Sequence, residues 1–320
     1  MKYFQYIHEK FSDKEEENEY RLLADNAKDI YIKNLNKLPW MKRQHLLSRL
    51  SLVYGSHWKA DLDALYDKMV LRLGTFWSEV ANGDYDKVLD NHFSARKGNN
   101  VVHQSREEGD KWLLDNPDWN QIIAYGTILQ LYSILHRQGR LQRIVNHKEI
   151  GAWLKDNWQR NVKIILKNPI SLYHVPVQMT NIIYYMMPLQ LVNTGYWNEV
   201  EDEFLNMTNN MDIQNNLVPS AYVLTHILIG RSQFYLKPVT ERKYEGILKQ
   251  LNSMKEILLK IDQLDIVAEI GVCNQICNQP PDWYQREIAE RMNPILNKDR
   301  GINNAEHSNI LAIMLLHGWA

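Results

Sequence analysis

With two cysteines in 320 residues, this chain lacks the material for a disulfide framework of the kind that small secreted scaffolds need. It also lacks an excess of either charge: 37 Lys and Arg stand against 38 Asp and Glu, a formal net charge of −1. Proteins that grip nucleic acid carry a strong basic excess, so no nucleic-acid partner is expected. No apolar run reaches the length of a bilayer span. The N-terminus, MKYFQYIHEKFSDKEEENEY, has neither the apolar core nor the small-residue cleavage site of a secretory signal. These absences point to a cytoplasmic protein with no membrane partner. There is no GxxxxGKS/T loop and no glycine fingerprint between a strand and a helix, so the usual routes to nucleotide binding are missing. Sustained strand-type alternation is missing as well.

Helical periodicity runs through nearly the whole chain. The acidic run Glu15 to Glu17 suits a positive helix N-terminus, and Leu22, Leu23, Ala27, Ile30 and Leu35 follow near one face before Pro39. WMKRQHLLSRLSLVYG reads as a helix stopped by Gly55, its basic cluster a solvated face. Leu62, Leu65, Met69, Leu73 and Trp77 stripe the next helix. Residues 91–110 are the least regular, broken at Gly98, Asn99 and Asn100. They divide an N-terminal helical extension, 1–110, from a repeat-like domain, 111–320.

In the second part, helices are expected near 119–138, 143–167, 175–194, 197–211, 218–236, 240–262, 264–278, 281–296 and 304–318. Pro176 and Pro219 suit first helical turns, where a missing N–H costs little. Asp282 suits a cap, and Gly139, Gly195 and Gly301 suit chain reversals. Segments 119–138, 175–194, 218–236, 264–278 and 304–318 are apolar nearly all round, whereas 143–167, 240–262 and 281–296 carry a charged face. Inner and outer helices alternating along a chain predict an all-α fold in two layers, a closed α/α toroid or a curved α-hairpin solenoid.

The apolar segments also carry a cadence of polar groups. His136, His174, His226 and His307 sit in four of them, and Glu269, Cys273 and Cys277 take the corresponding place in a fifth. Successive members lie roughly 35 to 55 residues apart, about one helical hairpin of a repeat protein. Such spacing can bring distant side chains to one cavity, expected to be lined by His174, Tyr222, His226, Asp265, Glu269, Cys273 and His307. Ten Trp and seventeen Tyr against six Phe suit cavity walls and helix junctions alike.

Several chemistries fit these residue types. Imidazole, thiolate and carboxylate are the ligands zinc prefers, so His226, Cys273 and His307, with Glu269, form a candidate metal set. Without metal, Glu269 lies in the apolar context IVAEIGVC, which disfavours its charged form and tunes it toward acid–base work with His226 or His307. Asp265, one turn before it, makes a carboxylate pair that also suits carbohydrate hydrolysis. Cys273 as a nucleophile has no supporting local motif. His136, Arg137, Arg140 and Arg143 in YSILHRQGRLQR suit an anionic group at a cavity mouth, or a helix C-terminus alone. Each of these groups also has a purely structural reading as a satisfied core residue.

The ordered segments AYVLTHILIG, LDIVAEIGVCNQIC and AEHSNILAIMLL resemble the C-terminal half of uncharacterised bacterial α/α-toroid-like families, which show LTH, V/L-x-E-I/L-xx-C and HxxxLxAxxxL helices in that order. More remotely, the layout resembles the prenyltransferase and terpene-cyclase α/α barrels and the lanthionine cyclases. The resemblance covers residues 170–320. The lanthionine-cyclase Cys-His-Gly element and the Asp-rich cyclase motifs are missing, so neither activity carries over. The resemblance implies an enzyme on a small molecule or peptide, in a bacterial biosynthetic setting. The competing expectation is a non-catalytic helical-repeat scaffold that holds a peptide or partner protein on its concave face.

Overall fold

The computed structural model describes residues 14–88, 104–116, 119–213, 215–295, 302 and 305–318. Among them the protein is all-α, with no strand. The helices are α1 (Lys14–Lys33), α2 (Trp40–Tyr54), α3 (Lys59–Ala81), α4 (Gln104–Asp115), α5 (Asn120–Arg137), α6 (His147–Lys167), α7 (Ser171–His174), α8 (Pro176–Tyr185), α9 (Thr194–Asn209), α10 (Leu217–Arg231), α11 (Glu245–Lys260), α12 (Leu264–Ile276), α13 (Asp282–Ile295) and α14 (Glu306–His317), joined in places by short 3-10 turns. No described helix is long and apolar enough to cross a membrane.

Most boundaries follow local chemistry. Pro176 opens α8 and Pro219 lies in the first turn of α10, where an N–H would have no helical partner. Gly139, at φ +64°, follows α5 in the left-handed region that glycine adopts without steric cost. Gly195 falls inside the first turn of α9, where its N–H donates to the Asn193 cap, so it makes no reversal of its own. Two apolar helices stop earlier than their hydropathy suggests. α8 ends at Tyr185 because the chain tightens into a 3-10 turn containing Pro188 and leaves it at Gln190, φ +52°. After α10 three consecutive non-glycine residues, Gln233, Phe234 and Tyr235, take φ of 56°, 58° and 73°. The irregular stretch expected at 91–110 lies outside the described residues up to 103, and α4 begins at Gln104. The reversal expected at Gly301 lies outside them too.

The chain forms two compact units, one from residues up to 65 together with 234 onward and the other from 66–233. The cut falls inside α3. In the first unit α14 is the central element, with α1, α2, α12 and α13 packed on it, and α11 backs α12. Every residue from Asn309 to Leu316 is buried, as is every residue of α12 from Asp265 to Ile276. That accounts for the all-round apolar character of both helices. Their contact is close at Gly271, where a Cβ would stand 2.7 Å from a Leu315 methyl and 2.8 Å from the Tyr284 Cβ. Gln275 and Gln285 both donate to the Leu315 carbonyl, at 3.0 and 3.2 Å.

In the second unit α8 takes the central place, against α5, α6 and α10. Gly230 of α10 meets the Tyr184 side chain so closely that a Cβ there would lie 2.4 Å from the ring. Aromatic groups fill the remaining junctions, among them Trp197 edge-on to Tyr184 and Trp153 between Trp77 and Tyr125.

Candidate acid–base site

The first unit brings four titratable groups from three helices together. His45 lies on the inner side of α2, between the buried residues Gln44 and Leu46. Its Nδ1 is 2.7 Å from the Glu306 carboxylate at the start of α14. The adjacent His307 places its ring 5.5 Å from that of His45, centre to centre, tilted by 42°. The His307 Nε2 is 3.8 Å from Glu269 Oε2 on α12. Each imidazole is thus backed by a carboxylate.

Burial differs sharply within the pairs. The Glu306 and Glu269 side chains are 3% and 1% exposed, whereas His45 and His307 keep 27% and 44%. Protein nevertheless surrounds both imidazoles closely enough that desolvation is the leading influence on each. The imidazoles thus keep contact with water while the carboxylates that back them are buried.

The charges follow from these neighbours. Burial by itself would push Glu306 up, but His45, His307 and Arg49 outweigh it and hold the carboxyl below its ordinary range. Burial lowers the His45 imidazole, Arg49 adds to that, and Glu306 opposes both. His307 falls to about 4, through burial first and the neighbouring His45 second, with Asp265 and Glu306 opposing. At neutral pH Glu306 is therefore an anion and both rings are neutral. A carboxylate only accepts hydrogen bonds, so the proton of neutral His45 must sit on Nδ1. The Nε2 of His45 is left with its lone pair.

Two further groups adjoin the rings. Arg49, one turn after His45 on α2, lies with its guanidinium 5.6 Å from the centre of the Tyr235 ring. Its field acts on His45, His307 and Glu306 alike. Burial raises the Tyr235 phenol, with Arg49 opposing and Glu269 and Cys273 adding to the rise. Behind the rings, Asn309 donates to the Tyr31 hydroxyl at 2.7 Å, and that hydroxyl donates to the Ile302 carbonyl at 3.2 Å.

The residues singled out in the sequence divide between the units. Asp265, Glu269, Cys273 and His307 belong to the first unit, on α12 and α14. Asp265 is near enough to His307 to pull on its protonation. Burial pushes the Cys273 thiol well above its usual value and raises Cys277 to about 12, so neither offers a ready thiolate. His226, Tyr222 and His174 belong to the second unit. His226 Nδ1 lies 2.9 Å from Asn181 Oδ1, and Tyr222 is half-buried one turn earlier on α10. His174 stacks on Trp112 with centroids 5.1 Å apart and planes within 9°. His136 is exposed near the end of α5. Arg140 and Arg143 both engage Asp67, and Arg137 donates to the Gln233 carbonyl at 3.3 Å. No group of three or more His, Cys, Asp or Glu side chains among the described residues is arranged to hold a metal ion. The expected set of His226, Cys273 and His307 is accordingly not found.

His45, Arg49 and Glu306 were not expected in a site. The MKRQHLLSR segment reads as a solvated face because four of its nine residues are basic or histidine. In the structure its Leu46 and Leu47 are buried, as is Leu50 directly after it, and His45 and Arg49, four residues apart, share the side that meets α14. The available signal was that spacing, together with an acid directly before His307.

Residues 145–320 match a family described as a domain of unknown function (DUF3541). The match takes in α12 and α14 and omits α2, so Glu269, Glu306 and His307 lie inside it and His45 and Arg49 outside. No curated protein and no solved structure matches the chain.

Proposed function

The chain belongs to the DUF3541 family, and we propose that it is an enzyme that moves protons on a small molecule or peptide through the paired imidazoles of the first unit. The observation that carries this reading is the His45–Glu306 contact of 2.7 Å, in which a nearly fully buried anion fixes the tautomer of a water-accessible neutral ring. Glu306 is the positioning residue. Its hydrogen bond orients His45, and its charge stabilises the imidazolium that forms when Nε2 takes a proton.

His307 supplies the second group. With its ring 5.5 Å from that of His45, it is a second neutral acceptor: either imidazole can take a proton from the substrate and, as the imidazolium so formed, return it to another substrate atom. Glu269, 3.8 Å behind His307, compensates charge as that ring turns over. Neutral rings at pH 7 are the form a general base requires. Asp265, on the same face of α12, tunes His307 through its field. Of the groups expected from the sequence, Glu269 and His307 keep an acid–base role here, and His45 takes the place given to His226. The proposal needs only an all-α framework that holds α2, α12 and α14 together; it does not depend on a closed ring of hairpins.

The test is turnover of a small-molecule extract, followed by mass spectrometry with wild type, His45→Gln and His307→Gln. A species consumed by wild type and spared by both folded variants supports the enzyme. Consumption unchanged in both variants refutes the assigned roles. If wild type consumes nothing while a defined peptide binds the chain, the scaffold reading stands instead.

A further inference from the structure

We propose that Arg49 and Tyr235 form an anion subsite beside the imidazole pair, built to hold a carboxylate or phosphate group of the substrate. The proposal rests on the acid–base reading for its place in the molecule and on separate observations for its substance.

The first observation is the state of Arg49. Among the described residues its guanidinium makes no ion pair within 4.0 Å. Its Nη1 reaches the His45 carbonyl at a long 3.4 Å, and the Tyr235 hydroxyl is a neutral hydrogen-bond partner. The Nε–H is buried and meets no acceptor. A guanidinium presents five donors in a planar fork suited to two-point contact with a carboxylate or phosphate. An unmet buried donor costs about 1–3 kcal/mol unless a ligand or water completes it. Here much of the fork is unused, and an anion reaching the Nε edge would complete it.

The second observation concerns the backbone. Phe234 and Tyr235 follow Gln233 in left-handed conformations, each of which costs a non-glycine residue roughly 1–2 kcal/mol. Bulky aromatic residues rarely accept that geometry. It places a tyrosine that is 8% exposed against Arg49, within the fields of Glu269 and Cys273. Strain of this kind persists where the surrounding structure enforces a particular side-chain placement, and such places cluster at ligand clamps.

The third is spacing. Arg49 follows His45 by about one helical turn, four residues or about 6 Å along α2. An anionic group on the guanidinium therefore leaves the neighbouring atoms of the same small molecule opposite the imidazole Nε2. The field of Arg49, which lowers both rings, would be offset by the bound anion, so occupancy makes His45 and His307 more basic. Binding thus readies the proton acceptors.

The experiment is a titration of the full chain with inorganic phosphate and, separately, with acetate, against sodium chloride of equal ionic strength. Imidazole titration curves are read by NMR. The expected result is a saturable rise in the His45 and His307 pKa values with one or both oxyanions, absent in Arg49→Gln. Arg49→Lys should keep the rise with at least tenfold weaker binding, which guards against a merely unfolded Gln variant. A response to phosphate alone identifies a phosphoryl group; a response to acetate as well identifies a carboxylate. No saturable rise in wild type, or the same rise in Arg49→Gln, overturns the subsite. Because the readout is binding, His45→Gln should still respond through His307. Failure of the subsite and failure of the acid–base reading are therefore told apart.

Discussion

The two units bury polar groups in different ways. In the second unit several buried hydroxyls and amides bond within their own helix: Thr180 to the Pro176 carbonyl, Thr208 to Leu205 and Asn161 to Asn157. In the first unit buried polar side chains reach across the sequence. His45 meets Glu306, Asn309 meets Tyr31, Gln275 meets the Leu315 carbonyl, and Asn252 and Asn274 exchange amide bonds. A local bond satisfies a group cheaply and places nothing in particular. A long-range bond between ionisable groups is expensive to bury and fixes geometry, so it belongs where geometry has a use.

The largest expected effect separates the two patterns directly. His45→Gln should lower turnover by roughly 10²–10⁴-fold, the usual contribution of a positioned base. Thr225→Val, in the second unit, should leave turnover unchanged in the same assay. Equal losses in the two would erase the contrast.

Next comes packing. Gly271→Val forces atoms into the α12–α14–α13 contact, where a Cβ already stands 2.7 Å from Leu315. The expected cost is about 1–3 kcal/mol in denaturant unfolding. Because α12 carries Glu269, the variant should also shift the His307 titration. An unaltered His307 would mean that the helix contact does not set the site.

A smaller effect should appear in the pH dependence of stability. The His45 and His307 pKa values are depressed in the folded state, His307 to about 4, against about 6.5 for an ordinary imidazole. Between those values the unfolded chain binds more protons, so stability is fully present above pH ~6.5 and declines as pH falls toward 4. The Glu306 carboxyl, also depressed, adds stability that is lost as pH drops through its folded value. Thermal melts at pH 7 and pH 5 should show the decline, and His307→Gln should flatten it. A steeper decline in the variant would reverse the sign of the assignment.

The smallest effect is expected in the second unit. Thr180→Val removes a hydroxyl bonded only to its own helix at 2.8 Å, and unfolding should change by no more than about 1 kcal/mol.

The sequence made the helices legible because each buried helix had to be apolar on every side. α14 and α12 are visible in AEHSNILAIMLL and LDIVAEIGVCNQI for that reason, and Pro and Gly marked several of their neighbours' ends. The same rule hid part of the site. His45 and Arg49 occupy a segment rich in Lys and Arg, and a basic turn packed against α14 reads like one bordering solvent. Glu269 and His307 stood out because a polar group in an apolar helix demands a partner, but the partner itself was not visible. His226 shows the converse, since the same apolar setting there holds a ring bonded to Asn181. Pairings such as His45 with Glu306, 261 positions apart, depend on tertiary contact and leave no local trace.

The most direct measurement is the tautomer of His45 at neutral pH, read from its ring-nitrogen NMR shifts in the full chain. A neutral ring protonated at Nδ1, with an unprotonated Nε2, is the result expected from a Glu306 anion. Protonation at Nε2, or a doubly protonated ring at pH 7, would contradict it.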